Sequence, residues 1–358
     1  MDTADIVRLR LHNQRLSAPS TAIPADIVRR LGAIQAQEFG PAKWSIGQRI
    51  AGGTESEISR AFDDGEFLRT HLLRPTWHFV AAEDIRWILE LTAPRVHQLN
   101  ATTYRRLELD DAVLAKAQTV LSDALEGGHH RTRSDLADCL KCAGIQAEGM
   151  RLGYIMMHAE LEGLICSGAI RGKQQTYALI DERAPQARSL PRDEALAELV
   201  RRYFTSHGPA TVKDFARWSG LTIADTKRGI EIVGRELQST TVDDRNYWFA
   251  EPTDPAPVDP SPTAHMLQGY DEYTIGYGES RDLYNPYFER FINRDSFLHS
   301  VIIDGQVACA WKRTFRKSEI QIEIAPYRDL SNAEHAAIHD AAVSYCRFID
   351  LPGTVSFV

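Results

Sequence analysis

The chain has 358 residues, of which 43% are hydrophobic and 25% charged. That is the composition of an ordinary globular protein, long enough for two or three domains each with its own core. The net charge of −8 argues against the overall basicity usual in nucleic-acid binders. Local stretches oppose it, however: Lys312 to Lys317 reads KRTFRK, and six arginines face three acids between Arg69 and Arg106. Overall charge therefore does not decide the partner.

No apolar run approaches the ~20 residues that cross a bilayer. The opening Met1-Asp2-Thr3-Ala4-Asp5 lacks the basic and apolar regions of a signal peptide. No membrane partner is expected, and cytoplasm is the expected location, with nucleoid association if DNA is bound. The five cysteines are too scattered for a disulfide framework. Cys139 and Cys142 sit in a segment that reads as helix, and His129-His130 is weak as a metal motif, so neither a metal nor a cofactor is expected.

In chain order, one pattern recurs three times: helices followed by two short runs of β-branched and aromatic residues. The first copy spans 1–82. Asp5–Gln14 has helical period, and Pro24 opens a second helix with Ile27, Leu31 and Ile34 inward. Thr54 with Glu57 forms a capping-box signature for a third, and Phe67–Leu73 and Thr76–Val80 read as strands joined through Arg74-Pro75. A helical connector covers 83–109. The second copy, 110–182, has helices at Asp110–Leu125, from Thr132 and at Met150–Glu162, then a hairpin around Arg171-Gly-Lys-Gln-Gln175. The third, 193–250, contains Gly208-Pro-Ala-Thr211 capping Val212–Ser219, a glycine turn and a second cap, which is a helix-turn-helix sentence.

A proline-rich linker, 251–262, precedes a different composition over 263–358. There Ser300–Trp311 reads as a hairpin turning at Asp304-Gly305, Ile320–Ile324 as a strand, Asn332–Phe348 as a helix and Thr354–Val358 as a closing strand. The expected fold class is α+β, mainly helical: three tandem winged-helix units followed by a small β-rich α+β module.

Ile34-Gln35-Ala36-Gln37-Glu38-Phe39-Gly40-Pro41 places two glutamines one residue apart beside a Gly-Pro that reads as a helix stop. Together with Arg74-Pro-Thr-Trp-His78, the three winged helices and the appended β-rich module, this element resembles the AlkZ-like family of winged-helix DNA glycosylases over essentially the whole chain. The resemblance implies that Gln35 and Gln37 are catalytic, matching the family's Gln-x-Gln motif. It also implies that the substrate is duplex DNA carrying N7-alkylguanine or crosslinks, cleaved at the N-glycosidic bond. Pro75 stands where glycine or another small residue is expected, and the run His265–Tyr270 is unusual.

The chemistry is consistent with that resemblance. A neutral amide is no general base, but an N7-alkylguanine is already cationic and leaves readily. A positioned water and dipolar stabilisation of an oxocarbenium ion are then enough. Residues i and i+2 on a helix point about 200° apart, so the pair can act together only if the helix ends near Gln35 and the backbone turns through Glu38–Pro41.

The resemblance places His78 near the site, and Trp44 and Phe39 are expected to line it by stacking, or else simply to pack. Arg69, Arg74, Arg171, Lys173, Gln174, Gln175, Lys312 and Arg313 are candidate DNA contacts. A monomer is expected. The alternative reading is a non-catalytic winged-helix DNA-binding or regulatory protein.

Overall fold

Three stretches of the chain repeat one element order, helix, short strand, helix, helix, hairpin. A computed structural model describes residues 1–251, 262–285 and 299–358. The first stretch follows a leading helix α1 (Thr3–Asn13). It comprises α2 (Pro24–Leu31), β1 (Ile34–Gln35), α3 (Phe39–Gly47), α4 (Glu55–Asp64), β2 (Phe67–Leu72) and β3 (Thr76–Ala81). Its sheet has the order β1-β3-β2, so the short strand pairs with the returning arm of the hairpin.

The long α5 (Ile85–Arg106) leads to the second stretch: α6 (Asp111–Leu125), β4 (Arg131–Thr132), α7 (Arg133–Cys142), α8 (Gly149–Leu161), β5 (Ile165–Ser167) and β6 (Thr176–Leu179). Its sheet order, β4-β6-β5, repeats the first. After a short α9 (Ile180–Arg183) comes the third: α10 (Arg192–Ser206), α11 (Val212–Ser219), α12 (Ile223–Val233), β7 (Leu237–Val242) and β8 (Arg245–Ala250). Here the first strand shrinks to a single bridge between Ala210 and Trp248.

Local sequence explains most helix starts. Thr54, Thr132, Thr211 and Thr222 each close a capping box with the acid three residues on, satisfying amide groups that the first turn leaves open. Gly220 ends α11 in the left-handed region and does more. A Cβ there would lie 2.4 Å from the Leu73 carbonyl oxygen, so only glycine lets the β2–β3 turn rest on the end of α11.

The C-terminal part consists of β9 (Ala264–Leu267), α13 (Glu272–Ile275), β10 (His299–Ile303), β11 (Gln306–Phe315), β12 (Ile320–Pro326), α14 (Asn332–Ile349) and β13 (Gly353–Phe357). Five strands run in the order β13-β12-β11-β10-β9, with β12 and β13 parallel and the others antiparallel. The proline-rich linker expected at 251–262 lies almost wholly outside the described residues. No helix among the described residues is long and apolar enough to cross a membrane.

The largest departure from the sequence reading is at Gly40-Pro41. This pair does not stop a helix. It lies in the first turn of α3, where a proline nitrogen has no intrahelical partner to lose. The preceding helix ends at Leu31, with Gly32 at φ 79° beyond it. The middle helix of the first repeat is therefore α3, and α1 stands outside the repeat.

Two cores flank the β1-β3-β2 sheet. Ile34, Phe67 and Phe79 face one that continues under the C-terminal sheet. Leu68, Leu72 and Val80 face the other, shared with α5, α10 and α11.

Candidate active site

Gln35 lies in the strand β1 and Gln37 in a bend just beyond it, so neither is on a helix. Gln35 pairs with His78 in the β1–β3 register, and the ladder continues one residue further through the Ala36 amide, which donates to the Trp77 carbonyl at 2.7 Å. Side chains alternate along a strand, so Gln35 stands on the sheet face that carries its partner His78, and the chain bends at Gln37 just past the strand. The helix does end before the pair, four residues earlier than expected, but the segment expected to turn, Glu38–Pro41, is instead the cap and first turn of α3.

The two amides are held differently. Gln35 is 8% exposed. Its Oε1 accepts from Arg74 Nη2 at 2.9 Å, and its backbone N–H donates to Glu272 Oε1 at 2.7 Å. Gln37 is exposed, its Oε1 lying 3.4 Å from the Trp77 amide. Both partners are donors, which fixes the two amide orientations with oxygen toward the protein. Each oxygen keeps a second lone pair.

The same face carries polar atoms with no protein partner. His78 and Thr70 stand opposite one another in the β2–β3 register, and both are fully buried. His78 Nδ1 lies 2.9 Å from the Thr76 carbonyl, so it carries the proton and Nε2 presents a lone pair. That Nε2, Thr70 Oγ1 and Thr76 Oγ1 are buried without hydrogen-bond partners. Burial, reinforced by the nearby Arg74 charge, holds the His78 pKa well below the ordinary imidazole value, so the ring is neutral at neutral pH.

Arg74 and Arg69 were expected on phosphates, and their contacts are internal. Arg74 Nη1 donates to the carbonyls of Trp218 at 2.9 Å and Arg217 at 3.2 Å, while Nη2 holds Gln35. Arg69 Nε donates to the Ala36 carbonyl at 2.9 Å and Nη2 to that of Gln37 at 3.3 Å. Its guanidinium lies 4.2 Å from the Trp77 ring centroid. Together they lace the glutamine strand to the hairpin and to the third repeat.

Phe39 and Trp44 do not face the amides. Phe39 packs edge-on against Phe62 and Phe79. Trp44 is 5% exposed, donates to the Met266 carbonyl at 2.6 Å and packs on Tyr345 and Phe348. Both belong to the core between the first repeat and the C-terminal sheet.

The remaining candidates sit on the β5–β6 turn and on β11. Arg171, Lys173 and Gln174 are exposed at the β5–β6 turn, and Arg171 pairs with Asp135 at 2.8 Å. Gln175 is half-buried, with an unpartnered Oε1. Lys312 meets Glu323 across the strand pair at 2.8 Å. Arg313 lies within 6 Å of the rings of Trp311, Phe315 and Tyr345.

Sequence reasoning missed Glu272. It is fully buried in α13 of the C-terminal part. Besides Gln35 N–H it accepts from Trp218 Nε1 at 2.8 Å and faces His207 Nε2 at 3.4 Å. Its carboxylate also opposes the Arg74 charge. No local pattern signals such a residue, because its partners come from three distant segments.

Comparison with known proteins places this geometry in context. A family model described as DNA glycosylase AlkZ-like matches residues 28–348. An interstrand DNA cross-link repair glycosylase of Streptomyces sahachiroi is 22% identical over 353 residues, with 94% of each chain covered. The solved structure of the Streptomyces sahachiroi DNA glycosylase AlkZ matches with a TM-score of 0.82 at 22% identity, over 99% of this chain and 100% of that one.

Proposed function

The chain belongs to the AlkZ-like DNA glycosylase family, and we propose that its reaction is hydrolysis of the N-glycosidic bond of cationic N7-alkylguanine, including crosslinked forms, in duplex DNA. The three repeats are then winged-helix units arranged along one strand of sequence. The observation that carries the reading is that Gln35 and Gln37 lie off any helix, each with its side-chain oxygen turned to a donor of the β2–β3 hairpin.

An alkylated guanine with a fixed positive charge departs as a neutral base and needs no acid. What limits the reaction is a nucleophile at C1′ and stabilisation of the developing oxocarbenium ion. The free lone pairs on Gln35 Oε1 and Gln37 Oε1 accept the two O–H bonds of one water, leaving its own lone pair for C1′. The C1′–N9 electron pair leaves with the base, and the water's surplus proton passes to solvent. The carbonyl dipoles meanwhile place negative ends beside the sugar's growing charge.

Neutral His78 adds no positive charge there, and the Arg74 charge is opposed by Glu272. The unpartnered Thr70, Thr76 and His78 atoms offer polar lining for water or for the displaced nucleotide. Lys43, the lysine nearest the pair in sequence, keeps its ammonium on Glu55 and Ser59. That supports simple hydrolysis without a Schiff base or strand cleavage. The exposed Arg171-Gly172-Lys173-Gln174 turn is a candidate contact to the duplex.

The test is base release from a duplex containing N7-methylguanine. Combined substitution Gln35→Ala, Gln37→Ala is expected to slow release by about 10²-fold or more, the scale of removing a preorganised polar group. A duplex whose target base is uncharged adenine is expected to stay intact. Unchanged release by the double variant would falsify the mechanism.

A further inference from the structure

We propose that His97, His158 and Glu162 form a binding site for a divalent transition metal ion of the zinc type, which braces α5 against α8. His158 lies in the last turn of α8 and Glu162 caps that helix. At a spacing of four residues they project from one face. His97 comes from the neighbouring α5, and one donor atom from each of the three side chains lies within 4.8 Å of the others. His97 Nε2 already stands 3.0 Å from Glu162 Oε1.

The outer nitrogens of both rings are occupied. His97 Nδ1 lies 3.0 Å from the Tyr104 hydroxyl, and His158 Nδ1 lies 3.3 Å from the Gln118 side-chain amide. This is the support that metal-bound imidazoles receive, one nitrogen held by a polar neighbour while the other faces the ion. Rotating the Gln118 amide presents its oxygen to His158 Nδ1–H and frees Nε2 for coordination. A tetrahedral centre with bonds of about 2.0–2.1 Å holds its donors roughly 3.3 Å apart. Closing the site therefore needs only small rotamer changes in side chains that are partly exposed. A cavity of about 230 Å³ opens beside His97 and Glu162, giving entry and room for water as a fourth ligand. Two imidazoles favour zinc-like ions over magnesium or calcium, which prefer all-oxygen sites.

The brace has a mechanical consequence. Glu160 lies between the two α8 ligands in sequence and faces the opposite way, where it holds His71 and the Trp77 indole. Fixing α8 against α5 fixes that carboxylate, and through Trp77 the strand that carries the glutamines. The role is structural and independent of the proposed reaction.

The experiment is titration of the full chain with zinc after chelator treatment, followed by calorimetry, metal analysis and thermal melting. One equivalent is expected to bind and to raise Tm. His158→Ala and Glu162→Gln are each expected to weaken binding about tenfold or more. Cobalt substitution of the unmutated chain supplies a readout that survives misfolded variants. Visible d–d bands without thiolate charge transfer are expected, whereas thiolate bands would move the ion to Cys139 and Cys142. That outcome overturns the proposal, as does failure of the wild-type chain to retain zinc or undiminished binding by both variants.

Discussion

Arg74 is placed to serve the proposed site without touching the reacting atoms. Its guanidinium reaches three acceptors, the carbonyls of Arg217 and Trp218 and Gln35 Oε1. A planar fork does this at fixed angles, while an ammonium holds one acceptor well and the rest poorly. Leu73, just before it, sits at φ 59°, a left-handed conformation unusual for leucine. The Leu73 carbonyl presses on Gly220, so the turn and the fork are set together. Arg74→Lys is expected to lower kcat for base release by about tenfold while KM changes little, because the Gln35 oxygen loses its aim rather than the duplex its grip. Equal kcat in single-turnover assays would show that Gln35 is positioned by something else.

At the scale of elements, the glutamine strand is short and borrowed. The β1 strand has two residues, and its fixed geometry depends on parts that arrive from elsewhere. Among these is the Arg49–Asp271 pair. Both side chains are fully buried, joined at 2.7 Å, and Ser45 and Gln48 also donate to Asp271. Burial alone pushes the Asp271 carboxyl up, yet Arg49 together with the hydrogen bonds from the Tyr273 amide and Ser45 outweighs it and holds the pKa below the usual carboxylate value.

The pair ties α3 to the segment that delivers Glu272 to the Gln35 amide. Asp271→Asn leaves a buried guanidinium without its countercharge and is expected to cost about 3–5 kcal/mol, read as a lowered urea midpoint. A loss below 1 kcal/mol would mean that the C-terminal part is not docked by this pair.

Sequence reading reached these elements unevenly, for reasons of length and distance. The long amphipathic helices and Thr-capped starts were legible because their signals are local and repeat over several turns. The strand around Gln35 was not, since two residues are too few to show a period of two. Gly40-Pro41 carried the opposite sign from the one assigned, because Pro in a first turn and Pro after a last turn look alike until the flanking helix is located. Gln35 and Gln37 themselves are singled out by the family resemblance. The contacts of Arg74 and Glu272 with Gln35 join segments far apart in the chain and show only in the folded structure.

Buried polar and titratable groups join the hydrophobic cores in holding the molecule together, and these groups set its response to pH. His78, His207, His265 and His299 all have pKa values below the ordinary imidazole value of 6.5. Burial is the first cause in each, and two of them, His265 and His299, fall to about 4. Unfolding releases these rings to titrate normally. As pH falls through 6.5 the unfolded chain takes up protons that the native chain refuses, so stability declines with falling pH. For His265 and His299 the decline continues until the native rings protonate near 4. The aspartates act in a lower window. Asp84, Asp214 and Asp271 are held below the ordinary 3.8 by their cationic and hydrogen-bonding partners, so their contribution persists until pH drops beneath that value. Melting curves from pH 7.5 to 4.5 are therefore expected to show Tm falling from about pH 6.5 downward, by on the order of 5 °C or more at the lower end. Replacing His265 with Gln, which keeps a polar side chain but cannot titrate, is expected to flatten the slope. A Tm that holds constant to pH 4.5 would place the titrating groups outside the folded interior.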